Sequence, residues 1–290
     1  MFEKILLPLD GSDLAEEVIP YGEELSVKLG AELILFHVCD ESHQLAHNMH
    51  RHYLEQLAEI SRKKPGKCKV STVHLFGDFA QTISDYCDSN NIGLVIMVAH
   101  GFTSLKVKVM GSIVDKVFRL LNCPSMLVQT GDARRKGAKK HLIQRILLPL
   151  DGSEYSETAI PYATELGSKL GADLVLYTMA KRSHMVTPKS DIIGETGMND
   201  EAVNAAEVKR SRSYLKGMAE EMADNGFNVD VMVSLDDDQG NAITRACQET
   251  AADLVVMATS GRQPITAWAP GSVAHKLLNK GDLPLLIVSS

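Results

Sequence analysis

Short, wholly apolar runs alternate with longer segments of helical periodicity along the chain. The first run, residues 4–9, ends at Asp10, and apolar positions at helical spacing follow at Val18, Tyr21 and Leu25. Apolar runs bounded by turn residues are typical of strands buried in a parallel sheet. The alternation continues to a fifth run and predicts the order β-α-β-α-β-α-β-α-β, which is a doubly wound α/β unit.

The whole pattern occurs twice. Residues 5–12, Ile-Leu-Leu-Pro-Leu-Asp-Gly-Ser, return as residues 146–153, so that Asp151 repeats Asp10. Later matches lie further apart, and 19 extra residues fall in the second copy, around positions 181–200. We therefore predict two tandem, doubly wound, five-stranded parallel-sheet domains of Rossmann-like type, residues 1–130 and 144–290, joined by a basic linker, residues 131–143.

Composition and charge exclude several classes of protein. The net charge of −7 and the lack of a long basic run argue against a nucleic-acid-binding surface. No apolar run approaches the ~20 residues of a membrane helix, and no signal peptide is recognisable at the N-terminus. Five cysteines without close pairs indicate reduced, buried thiols. We expect a cytoplasmic protein without a membrane or nucleic-acid partner.

A glycine-containing loop follows the fourth apolar run of each copy. In both copies a glycine is separated by nine residues from a Gly-Ser pair that begins a helical segment. Backbone N–H groups at glycines and at a helix N-terminus can bind a phosphate. The structural alternative is a turn with a serine N-cap. The residues concerned are Gly101, Gly111 and Ser112, and Gly261, Gly271 and Ser272.

With the opening Leu-Leu-Pro-Leu-Asp-Gly-Ser and these loops, each found twice, the chain resembles the universal stress proteins in their tandem form. The closing Cys123-Pro124 and Leu283-Pro284 segments fit the same family. The resemblance implies a fold of the adenine nucleotide alpha hydrolase type. Members of the family that bind ATP carry a further glycine at the start of the loop. That glycine is replaced here by Val98 and Ala258, and valine is the larger departure.

The resemblance implies an adenine nucleotide, ATP or AMP, with Mg²⁺ as an optional companion. Asp10 and Asp151 would hold the adenosine, Val38 and Met179 would line the adenine, and the loop glycines and serines would take the phosphates. The implied set also includes the flanking residues Pro8, Ile113, Pro149 and Val273. The smaller departure at Ala258 makes the C-terminal site the better candidate.

The sequence favours a binding and signalling module over an enzyme. It contains no GxxxxGK[ST] motif and no carboxylate repeated at a clear magnesium position. Two alternatives stay open. One is a nucleotide-independent interaction module with degenerate sites, and the other is a slow ATPase or a metal-dependent hydrolase.

Three histidines suggest a metal site in the first copy. His43, His47 and His50 fall on one face of a predicted helix, a spacing that can gather Zn²⁺ or Ni²⁺. A solvated, histidine-rich helix start is the favoured alternative, so zinc is not expected as a cofactor.

The final strands predict how the two domains associate. Residues 126–128 and 285–288 are apolar and carry no charge, and an unpaired edge of this kind invites aggregation. We expect the two domains to pair within one chain, final strand against final strand. A homodimer of whole chains through helical faces remains an option.

Overall fold

The computed structural model describes residues 1–39, 47–66, 68–99, 112–129, 141–183, 200–259, 272–280 and 283–289. All structural statements below concern these residues. They form two similar α/β units that share one sheet.

The first unit begins with a strand and alternates strands with helices. A short 3-10 helix, Ala15–Val18, precedes the first α-helix. The elements are β1 (Lys4–Pro8), α1 (Ile19–Leu29), β2 (Glu32–Cys39), α2 (His47–Lys63), β3 (Lys69–Phe76), α3 (Phe79–Asn90), β4 (Leu94–Val98), α4 (Ser112–Leu120) and β5 (Ser125–Val128).

The second unit repeats this order, with a short helix in place of the 3-10 turn. The elements are β6 (Arg145–Pro149), α5 (Glu154–Glu157), α6 (Ile160–Leu170), β7 (Asp173–Lys181), α7 (Asp200–Asp224), β8 (Val229–Asp236), α8 (Gln239–Thr250), β9 (Leu254–Thr259), α9 (Val273–Lys280) and β10 (Leu285–Ser289).

The ten strands lie in the order β3-β2-β1-β4-β5-β10-β9-β6-β7-β8. Within each unit neighbouring strands are parallel. The units meet at β5 and β10, which pair antiparallel with Leu127 opposite Leu285 and Met126 opposite Leu286. The final-strand pairing expected from the apolar edges is therefore present, and it removes an exposed edge from each unit.

Successive residues of the strands point to opposite faces of the sheet, and helices cover both faces. Leu7 packs on one side with Leu25 of α1 and Leu54 of α2. Leu6 packs on the other side with Ile83 of α3. The period of two in the strands and the helical spacing of the apolar positions thus produce two separate cores, as a doubly wound sheet requires.

The predicted α/β fold class and element order are confirmed, and residues at the end of the predicted linker are part of the core. Leu142 and Ile143 are buried in the core, and the Leu142 N–H donates to Glu24 Oε2 at 2.8 Å. Leu142 and Ile143 thus pack in a core to which both units contribute, because two adjacent apolar side chains gain more from burial than from exposure. In the described part of the chain, no helix combines the length and the apolar character needed to cross a membrane.

Candidate functional site

Each unit has a crevice at the carboxyl ends of its two central strands. β1 pairs with β2 on one side and with β4 on the other, and β6 pairs with β7 and β9 in the same way. The chain leaves these neighbouring strands towards opposite faces of the sheet, which opens a crevice where the strand order reverses.

The turn after the first strand of each unit orients a carboxylate at the crevice. Asp10 Oδ1 accepts hydrogen bonds from the backbone N–H of Ser12 at 2.9 Å and from its hydroxyl at 2.6 Å. Asp151 Oδ1 accepts the same two bonds from Ser153, at 3.0 and 2.5 Å. The intervening Gly11 and Gly152 have φ values of 86° and 80°, which favour glycine in this tight turn.

Further bonds hold the second carboxylate in its ionised form. Partial burial alone would raise the pKa of the Asp151 carboxyl, but hydrogen bonds from Ser153 and Ser156 outweigh it and hold that pKa below its ordinary value. In the turn itself, the Asp151 N–H donates to Ser156 Oγ at 3.2 Å. Asp151 is therefore a fixed anion that can accept hydrogen bonds from a ligand.

The N-terminal crevice has a volume of about 220 Å³ and a mainly apolar wall. Asp10 and Ser12 supply its polar groups. Its described lining is Pro8, Asp10, Ser12, Leu14, Ala15, Phe79, Met97, Val98, Ile113 and Val114.

The C-terminal crevice has the same volume, about 220 Å³, but a more polar wall. Its described lining is Pro149, Leu150, Asp151, Tyr155, Ser156, Gln239, Ile243, Met257, Ala258, Ser272, Val273 and Ala274. At equivalent positions of the repeat, Leu14 corresponds to Tyr155, Ala15 to Ser156, and Phe79 to Gln239. Three apolar side chains of the first crevice are thus replaced by polar ones in the second.

Tyr155 contributes a buried hydroxyl that makes no hydrogen bond with any described residue. A buried polar group without a partner costs about 1–3 kcal/mol. Other buried tyrosines avoid this cost, as Tyr177 does through its contact with Ser234 Oγ at 2.6 Å. Sequence reasoning missed Tyr155, Ser156 and Gln239 as site residues. Aligning the two copies for unlike residues at the crevice would have identified them.

Helix N-termini face both crevices. α4 begins at Ser112, and Ser272 precedes α9, where its hydroxyl accepts from the His275 N–H at 3.3 Å. Ser272 therefore acts as the N-cap of α9, as the structural alternative predicts. It also lines the crevice. A helix N-terminus carries partial positive charge and favours an anion beside it.

Matching ion pairs join the two helices beside each crevice. Lys116 Nζ lies 2.8 Å from Asp78 Oδ2, and Lys276 Nζ lies 2.8 Å from Asp238 Oδ2. The hydrogen bond from the lysine side chain is the largest cause of the lowered pKa of each aspartate. These aspartates also cap α3 and α8 through the N–H groups of Gln81 and Asn241, so the pairs tie the crevice helices together.

The structure brings together part of the predicted nucleotide set. Pro8, Asp10 and Ile113 line the first crevice, and the second is lined by Pro149, Asp151, Ser272 and Val273. Val38 and Met179 lie near the ends of β2 and β7 but are not among the described lining residues. Gly101, Gly111, Gly261, Gly271 and the Ser112 side chain lie outside the described residues.

The predicted histidine cluster is described only in part. His43 lies outside the described residues, and His47 begins α2 but its side chain is not described. His50 meets His37 and Cys39 of β2, and one ligand atom from each of the three lies within 4.8 Å of the other two. Sequence reasoning did not assign His37 to this cluster, and it placed Cys39 among the inert thiols. The sequence signal for this cluster was the spacing of His37 and Cys39, which are two residues apart at the end of β2 and so face the same side of the sheet.

Fold and crevices define a class of protein: a tandem pair of doubly wound α/β units, each with a crevice at its strand-order reversal, which is where sheets of this type bind ligands. The model of the universal stress protein family matches residues 1–129 and again residues 142–289. The chain belongs to the universal stress protein family.

Several individual proteins are similar to this chain. The universal stress protein Slr1230 of Synechocystis sp. is 23% identical over 317 residues, covering 98% of this chain and 99% of the relative. A universal stress protein structure from Archaeoglobus fulgidus has a TM-score of 0.76 at 18% identity, covering 99% of this chain and 98% of that one. A universal stress protein solved in complex with cAMP is 15% identical, with a TM-score of 0.38, and covers 44% of this chain and 98% of its own.

Proposed function

We propose that this chain is a cytoplasmic stress-response module that binds an adenine nucleotide, ATP or AMP, in its C-terminal crevice. The observation that carries the proposal is the polar wall of that crevice. Asp151, Tyr155, Ser156 and Gln239 converge there, where the first unit presents mainly apolar side chains. A small number of convergent polar groups in a partly apolar pocket is typical of small-molecule sites.

Each polar feature of the wall suits one part of a nucleotide. The ionised Asp151 accepts hydrogen bonds, and ribose hydroxyls donate them. Ser272 and the N-terminus of α9 suit a phosphate. At about 220 Å³ the crevice is smaller than the ~300–1,000 Å³ of typical ligand pockets, so part of a bound nucleotide would lie at its mouth.

The proposed role is binding and signalling, with any ATP hydrolysis slow. Asp151, the carboxylate of the described wall, is held by Ser153 on the turn. Rapid phosphoryl transfer needs a positioned base or arginine and a metal clamp. The role of a nucleotide here would be to stabilise one state of the protein, because a ligand that binds only the folded form stabilises that form.

Titration calorimetry on the full chain, stripped of nucleotide, tests the proposal with ATP, AMP and cAMP as probes. Asp151→Asn keeps the size of the side chain and removes its charge, and Asp10→Asn is the matched control in the other unit. We expect Asp151→Asn to weaken nucleotide binding about tenfold or more, equal to about 1.4 kcal/mol, and Asp10→Asn to leave it nearly unchanged. Absence of binding by the stripped wild-type chain would overturn the proposal.

The N-terminal crevice favours a second candidate function, a nucleotide-independent interaction module. Leu14, Phe79 and Val98 make its wall apolar, and Ile113 at its edge is 58% exposed. If this is the role of the protein, excess nucleotide leaves the melting temperature of the full chain unchanged, whereas ~2.7 kcal/mol of stabilisation is expected at a concentration one hundred times the Kd of a true ligand.

A further inference from the structure

Two histidines and a cysteine of the first unit converge between β2 and α2. His37 and Cys39 are two residues apart on β2, so both face the side of the sheet on which α2 packs. His50 lies in the first turn of α2, and its ring stacks on that of His37 with the centroids 4.4 Å apart. His37 and Cys39 are 4% and 5% exposed, so the cluster is shielded from bulk water on its strand side.

A backbone hydrogen bond sets which nitrogen of His37 faces the cluster. His37 Nδ1 lies 2.7 Å from the carbonyl oxygen of Leu9. A carbonyl only accepts, so Nδ1 carries the proton and donates, and Nε2 presents its lone pair. A ligating histidine that donates its other ring N–H to a backbone carbonyl is the usual outer-shell arrangement at protein metal sites.

Distances within the cluster match those of a tetrahedral ion. His37 Nε2 lies 3.5 Å from Cys39 Sγ. With a Zn–N bond of ~2.0 Å and a Zn–S bond of ~2.3 Å, tetrahedral geometry separates the nitrogen and sulfur by about 3.5 Å. The ligand atom of His50 is within 4.8 Å of both. A shift of the ligand atom of the partly exposed His50 side chain by up to about 1.5 Å would complete the tetrahedral set.

We propose that His37, Cys39 and His50 form a binding site for a divalent metal ion of the zinc class. Two imidazoles and a thiolate suit a borderline-soft ion, whereas Mg²⁺ and Ca²⁺ take oxygen ligands. Three protein ligands leave a fourth tetrahedral position for water or another small ligand. The His74 ring, 5.5 Å from His37 and 6.2 Å from His50 between centroids, stacks beside the site and holds the two imidazoles in place.

The second unit provides an internal comparison. Thr178 and Ala180 of β7 occupy the positions of His37 and Cys39, and neither is a zinc ligand. Where β3 places His74 opposite His37, β8 places Val233 opposite Thr178. The proposal therefore requires one ion for each chain, bound in the first unit and independent of any nucleotide in the second.

Cobalt and zinc titrations of the full, untagged, metal-stripped chain test this site. We expect one equivalent of Co²⁺ to bind with a thiolate-to-cobalt charge-transfer absorption, and Zn²⁺ to displace it. Cys39→Ser should abolish that absorption, while Cys68→Ser should retain it. Cys68 is a matched control because it is a buried thiol of the same unit whose hydrogen bond goes to Ser26 Oγ at 3.1 Å.

A second variant keeps the test decisive if Cys39→Ser fails to fold. His50 lies on a partly exposed helix face, so His50→Gln should fold and should weaken Zn²⁺ binding more than about tenfold, since even an outer-shell partner contributes 10–100-fold. Absence of stoichiometric metal binding by the wild-type chain would overturn the proposal. So would a charge-transfer band that persists in Cys39→Ser, or unchanged zinc affinity in His50→Gln.

Discussion

Gln129, at the end of β5, donates from Nε2 to the carbonyl oxygen of Leu278 in α9 at 2.8 Å. This bond joins the two units beside the antiparallel β5–β10 pair, and Gln129 is 4% exposed. Leu278 lies in the last turn of α9, where backbone carbonyls lack a partner within the helix. A side chain of the first unit therefore satisfies a helix end of the second.

Removal of this bond should destabilise the whole chain. Gln129→Ala leaves the Leu278 carbonyl buried without that donor, so we expect the free energy of unfolding to fall by about 1–3 kcal/mol. Urea unfolding followed by circular dichroism measures the change. Gln81→Ala, at an exposed glutamine of α3, is the control and should stay within about 0.5 kcal/mol of wild type. Equal stability of the two variants would contradict the interpretation.

The strand pairing between the units predicts a stronger effect at Leu127. It lies opposite Leu285, and both side chains are fully buried. Leu127→Lys places an unpaired charge in the core and should cost about 3 kcal/mol or more. Limited proteolysis should then cut between the units far faster than in the wild-type chain.

Leu75→Lys is the control for this substitution. Leu75 lies on β3, at the outer edge of the sheet, and is 36% exposed. We expect wild-type proteolysis rates for it. Similar rates for Leu127→Lys and the wild-type chain would show that the paired edges contribute little to the association of the units.

Sequence patterns predicted the strands and the order of elements because burial imposes a clear period on both. The β1 run reads as a buried strand whatever surrounds it, and its duplication at β6 doubles the signal. The turn at Asp10 and Asp151 could also be predicted from the sequence, because the hydrogen bonds of Asp-Gly-Ser are local to the turn.

Contacts between distant segments could not be predicted in this way. His37 and His50 meet only because α2 packs on β2, and the helical spacing of the histidines carries no information about the strand. The polar wall of the second crevice also depends on contacts between segments that are distant in sequence. Tyr155 and Gln239 are more than eighty residues apart in sequence, and each alone is an ordinary helix residue.

Buried thiols predict an alkaline limit to stability. Burial raises the pKa of the Cys247 thiol to about 12. In the unfolded chain a thiol ionises near pH 8.5–9. A raised pKa in the folded state means that the full contribution to stability is present below pH ~9 and is lost as the pH rises towards 12, at about 1.4 kcal/mol per pH unit.

The dependence of the free energy of unfolding on pH, compared between variants, isolates the contribution of the Cys247 thiol. We expect Cys247→Ala to be less stable than wild type at pH 8 because of the lost packing, but to lose stability more slowly between pH 9 and 11. Chemical unfolding at a series of pH values measures both. Gln248→Ala, at the next, exposed position of α8, should keep the wild-type slope. A wild-type slope in Cys247→Ala would show that the thiol does not titrate over this range.

The unpartnered hydroxyl of Tyr155 makes opposite predictions for stability and for binding. Tyr155→Phe removes a buried polar group that no described residue satisfies, so the nucleotide-free chain should be as stable as wild type or up to about 1 kcal/mol more stable. If a nucleotide supplies the missing partner, the same change should weaken ATP binding about fivefold, the value of a ~1 kcal/mol hydrogen bond. Tyr177→Phe is the matched control, because the hydroxyl of Tyr177 already contacts Ser234 in the wild-type chain. This variant should lose stability and keep its affinity for ATP. Thermal melts with and without ATP measure both quantities, and a Tyr155→Phe chain that loses stability without any loss of affinity would remove this hydroxyl from the proposed site.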